Sequence, residues 1–94
     1  MVTEMVRKDY KGFIDIICIW PGIKLWMWDN DVNMIKFAEL VGVHVNTISA
    51  NFRGLTDMRM YTVRRILEVT GLTFEQAFGK QLTPEEARRK CELQ

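Results

Sequence analysis

The stretch from Phe37 to Ser49, Phe-Ala-Glu-Leu-Val-Gly-Val-His-Val-Asn-Thr-Ile-Ser, constrains this chain more than any other part of it. Phe37, Leu40 and Val41 fall at i, i+3 and i+4, which gathers them on one face of a helix. Asn33 stands ahead of them, where its side chain can accept from a free amide of the first turn. Gly42 follows them, and a helix ends well on a residue that takes a positive φ. From about Val45 to Phe52 a second helix is predicted, with Ile48 turned inward and Gly54 closing it. Two helices that meet at a steep angle need a small residue at their approach, here Ala38, and a tight turn, here Gly42. Val43 and Ile48 supply the apolar plugs. An ordinary helical hairpin is the competing reading.

The neighbouring segments read as more helices. Ile23 to Asp29 follows Pro21-Gly22 and stops in the polar cluster Asp29-Asn30-Asp31. After a loop from Leu55 to Arg59, Met60, Val63 and Leu67, with Ile66 beside them, predict a helix that ends at Gly71. Thr73 and Gln76 have capping-box spacing ahead of Ala77 and Phe78, with Phe74 completing a small apolar set. Thr83-Pro84-Glu85-Glu86 combines a cap, a proline and an acidic first turn, so Pro84 to Leu93 reads as helical, although it lacks a broad apolar face.

Phe13 to Trp20 is the least determined segment. It is rich in β-branched and aromatic residues, which predicts a strand, but a buried helical turn competes over so short a run. A run this apolar on a small domain needs cover, from a symmetry mate or from its own first helix. The organisation expected is therefore an N-terminal extension over 1–21 as a candidate dimerisation segment, a helical domain over 22–79, and a tail over 80–94.

Composition excludes more than it selects. Ninety-four residues allow one domain. Lys and Arg number 13 against 12 Asp and Glu, so no global field draws the chain to nucleic acid. Between Val32 and Thr70 the balance tilts: Lys36, Arg53, Arg59, Arg64 and Arg65 face Glu39, Asp57 and Glu68. Cys18 and Cys91 lie far apart, outside any zinc-type cluster, which predicts reduced thiols and no metal. No signal peptide or membrane span is read, and the expectation is a cytoplasmic protein with no membrane contact. No phosphate loop, carboxylate pair or nucleophile motif occurs. The sequence predicts neither an enzyme nor a cofactor.

At Phe37 to Ser49 the sequence resembles the helix-turn-helix of the phage Cro and repressor family, also called the xenobiotic-response-element family. Arg53-Gly54 looks like that family's Arg-Gly after the recognition helix, and Tyr61 to Phe78, with Gly71-Leu72-Thr73 between, is similar to its two closing helices. The likeness covers about Ile23 to Phe78. It implies an all-α, lambda-repressor-like bundle of four to five helices that acts as a homodimer on double-stranded DNA in a bacterial or phage-infected cell. Three positions differ. Met34 stands where glutamine is common, Asn51-Phe52 where an apolar residue and Glu precede the Arg-Gly, and Arg59 where Ser or Thr starts the next helix. Either Phe52 fills the core in place of its neighbour, or the helix end is rotated. Arg59 implies weaker capping and a phosphate contact.

With the second helix in a major groove, its first turn and outward face touch base edges. Those residues are Val45, Asn46 and Ala50, with His44, Thr47 and Ser49 at the margin. Asn46 leads, because an amide pairs with the N6 and N7 edge of adenine, and Val45 and Ala50 suit thymine methyls. Asn33, Lys36, His44, Arg53 and Arg59 are candidates for phosphate. The plain alternatives are a cap or a solvated amide for Asn46, surface charge for Arg53 and Arg59, and a solvated turn residue for His44. A second class of function also stands: a module of antitoxin-like or inhibitor type that binds a protein partner through the fold or its ends.

Overall fold

Local signals in the chain set where each helix begins and ends. The computed structural model describes residues 16–93, and these form six helices: α1 (Pro21–Asp29), α2 (Met34–Val41), α3 (Val45–Phe52), α4 (Met60–Thr70), α5 (Phe74–Phe78) and α6 (Pro84–Leu93). Asn33 Oδ1 accepts from the Lys36 amide at 2.8 Å and caps α2, and Thr73 and Gln76 form the reciprocal box that opens α5. Gly42 ends α2 at φ +91°, with its amide and that of Val43 both donating to the Ala38 carbonyl. A residue with a Cβ would be strained there.

One apolar core runs through the six helices. Phe37, Val41, Ile48, Phe52 and Ile66 are wholly buried, joined by Ile23 and Met27 from α1. α2 packs on α3 and α4, and α1 packs on α5. That last contact is close: a Cβ at Gly22 would collide with the carbonyl oxygen of Gln76. No helix among the described residues is long and apolar enough to cross a membrane.

Several expectations change. The described residues contain no strand, and 16–20 runs instead as a strap across the helices; Phe13 to Asp15 lies outside the described residues. Ile19 donates to the Phe52 carbonyl at 2.9 Å and accepts from the Leu82 amide at 2.7 Å, so its backbone polar groups are satisfied by the end of α3 and the loop before α6 rather than by a strand partner. Cys18, Ile19 and Trp20 are buried, and their cover comes from their own chain. α1 begins at Pro21, because a proline at the first helical position loses no hydrogen bond.

On α4 the buried stripe is Thr62 and Ile66, with Val63 and Leu67 at its edges, whereas Met60 is 62% exposed. The helix is rotated so that Ile66, not Met60, faces the core. The segment after Phe78 also joins the core, through Leu82 and Ala87. Ala87 needs no broad apolar face, since one small side chain fits against the bundle.

Candidate nucleic-acid interface

α3 is fixed from behind by Ile48 and Phe52, which are fully buried. Phe52 lies between Trp20 and Phe37, at ring-centroid distances of 6.3 and 5.7 Å. Of the two alternatives at the end of this helix, Phe52 in the core is the one observed. Its neighbour Asn51 is buried as well, so the amide must find partners inside. Asn51 Nδ2 donates to Thr56 Oγ1 at 2.8 Å, with the Thr56 and Asp57 carbonyls each at 3.4 Å.

With one side held, the other side of α3 faces solvent. An open groove of about 730 Å³ lies along it. Val43 and His44 from the turn, and Asn46, Thr47, Ala50 and Asn51 from α3, form one wall. Thr56, Asp57 and Arg59 from the following loop, with Tyr61 and Thr62 of α4, form the other. Asn46 and Thr47 are exposed, and no hydrogen-bond partner for either side chain occurs among the described residues. The groove carries charge of both signs, Arg59 against Asp57.

The candidate residues therefore separate. His44, Asn46, Thr47, Ala50 and Arg59 come together on the groove. Val45 and Ser49 are half-buried on α3 and do not line it. Asn33 and Lys36 sit at the start of α2. There Asn33 is occupied in capping, and Lys36 Nζ lies 3.7 Å from Glu39 Oε1 in an exposed pair. Arg53 is exposed just past the end of α3.

His44 has a further role. Its Nδ1 accepts from the Asn46 amide at 3.0 Å, so it is the N-cap of α3. Arg59 is the N-cap residue of α4 and makes no side-chain cap, which leaves its guanidinium to point elsewhere. Among the groove residues that carried no functional signal in the sequence are Asn51, Thr56 and Tyr61. Asn51 stood out only as a polar residue at an apolar place, and the other two look like ordinary surface residues. No protein-family model matches the chain, and no curated protein is significantly similar to it.

Proposed function

We propose that the chain is a sequence-specific DNA-binding transcriptional regulator in which α2 and α3 act as a helix-turn-helix and α3 enters the major groove as part of a homodimer. The observation that carries this reading is the division of α3 into two faces. Ile48 and Phe52 anchor one, while Asn46 and Thr47 stand exposed on the other with unengaged hydrogen-bonding groups. An amide held on a rigid helix suits an adenine edge. Arg59 across the groove and Arg53 beyond the helix end suit phosphates, which fix register without reading sequence. The test is a gel-shift titration against the region upstream of the chain's own gene, with random DNA as competitor. A band that resists the competitor supports the reading, and the lack of any shift even at low salt sinks it.

One observation favours a second reading, a module that binds a protein. Leu55, Met60 and Tyr61 are 65%, 62% and 58% exposed on the loop and first turn beside the groove. Apolar side chains of this size suit a protein surface more than a phosphate backbone. α3 itself carries no Lys or Arg. In the same titration this reading predicts no binding to any duplex.

A further inference from the structure

Asn51 is a buried amide at a place where the core would take an apolar side chain. Its neighbours Ile48 and Phe52 are wholly buried, and an amide is tolerated in such a setting only when it is hydrogen-bonded. The partners it finds are in the loop beyond α3, five and six residues along the chain. Two further ties hold that loop: the Leu55 amide donates to the Ala50 carbonyl at 3.0 Å, and Met58 packs against the core. Leu55, Thr56, Asp57 and Arg59 are all exposed, and Met58 alone is half-buried. Arg59 has extended backbone at φ −75° and ψ 152° and no side-chain cap of its own. Where Arg59 stands relative to Asn46 across the groove is set from two sides: by α4, whose Val63 amide donates to the Arg59 carbonyl at 3.0 Å, and by the way the loop is tied to α3.

We infer that Asn51 is a positioning residue: through Thr56 and Asp57 it holds Arg59 at a set distance from the reading face of α3, so that one DNA backbone and one base edge are met together. This rests on the DNA-binding reading above and adds to it a residue that touches no DNA. A hydrogen bond from a rigid helix to a loop is directional in a way that an apolar contact is not, which is why an amide suits the place.

The experiment uses Thr56→Val in the full chain, since Thr56 is exposed and the change removes only the acceptor hydroxyl. Asn51→Leu is more direct but risks the core. Binding to a random-sequence duplex is measured by anisotropy across a salt series for wild type, Thr56→Val, Thr56→Ser, Arg59→Ala and the Thr56→Val/Arg59→Ala double variant. Losing one phosphate contact makes the slope of log K against log salt shallower by about 0.9. Arg59→Ala is expected to show that shift and Thr56→Val to approach it at unchanged melting temperature. The double variant is expected to be no worse than Arg59→Ala, and Thr56→Ser to restore the wild-type slope. A Thr56→Val slope equal to wild type, with or without a lower melting temperature, overturns the proposal, as does a loss that adds to that of Arg59→Ala. A wild-type chain that binds no duplex overturns the DNA reading and this proposal with it. A wild type that binds, with additive variants, overturns this proposal alone.

Discussion

Arg65 Nε donates to the Val41 carbonyl at 3.1 Å, and its Nη2 donates to the Leu40 carbonyl at 2.9 Å, so a side chain of α4 closes the C-terminal end of α2. The last carbonyls of a helix have no partner within it, and they form the negative end of its dipole. A planar cation with parallel donors answers both needs. Nη1 goes to Glu68 Oε1 at 2.7 Å, which leaves the guanidinium with a contact along each edge.

The Arg65 side chain is 36% exposed, so solvent screens part of this interaction. Arg65→Ala is expected to cost about 1–2 kcal/mol in urea unfolding, at the lower end for hydrogen bonds from a charged group. Arg65→Lys should recover only part, because a single ammonium cannot fork to two carbonyls as a guanidinium does. An Ala variant as stable as wild type would show the contact to be idle.

Arg65 also marks where the sequence stops being readable. Among the five basic residues between Val32 and Thr70 nothing marks it for this role, since the two carbonyls it closes lie 24 and 25 residues away. The caps at Asn33 and Thr73, the end at Gly42 and the burial of Phe37, Val41 and Ile48 are legible because each depends on residues within a turn or two. Ile16 to Trp20 is not. Its path is decided by the Phe52 carbonyl and the Leu82 amide, and its own residues suit a strand equally well. On the groove, the outward place of Asn46 follows from the spacing to Ile48. The inward turn of Asn51 does not, because it needs Thr56 and Asp57 to make burial tolerable.

Trp20 meets Phe52 and Phe78 edge-on, at ring-centroid distances of 6.3 and 5.3 Å, and so joins the strap to both α3 and α5. Trp20→Ala should therefore destabilise the chain by about 3–5 kcal/mol, a large share of the roughly 5–15 kcal/mol typical of a small domain. The measurement is urea denaturation followed by circular dichroism. A change under about 1 kcal/mol, within the range of a surface substitution, would mean that the strap is not part of the folding unit.

Burial pushes the Cys18 thiol up from its ordinary 9.0 to about 12, against the opposing pull of the Lys24 charge. The unfolded chain loses this proton first as pH rises. The thiol's contribution to stability is thus fully present below about 9 and is lost as pH climbs toward about 12. Alkaline unfolding of wild type should accordingly begin at lower pH than that of Cys18→Ala once the two are matched in stability at neutral pH. In a Cys91→Ser background, a thiol reagent at pH 8 should label Cys18 only when urea is added. Prompt labelling of the native chain would contradict its burial.

His44 accepts the Asn46 amide through Nδ1, so its ring holds the first turn of α3. Removing an N-cap costs about 0.5–2 kcal/mol, and that is the expected loss for His44→Ala, with His44→Asn recovering most of it. Since the cap and a phosphate contact are different roles, they leave different traces. A cap alone lowers the melting temperature and leaves the salt dependence of DNA binding unchanged. A shallower salt slope for His44→Asn would assign His44 to phosphate instead.

Reading and positioning separate in the same way on the rest of the groove. Asn46 is exposed on α3 with its amide unengaged, so Asn46→Ala should cost about 1–3 kcal/mol on the preferred site and little on random DNA, with specificity relaxed at one base pair per half-site. Arg53 carries charge just past the end of α3, and Arg59 carries it across the groove. Replacing either with Ala should weaken specific and random DNA alike and flatten the salt dependence, because each lost phosphate contact releases fewer counterions. A selection from random duplexes followed by titration of each variant on the winning site and on a scrambled one gives both readouts. If Asn46→Ala lowers affinity equally for the two sequences, the amide is not reading a base. If neither arginine variant alters the salt slope, the backbone passes elsewhere, and Leu55, Met60 and Tyr61 become the residues to probe against a protein partner.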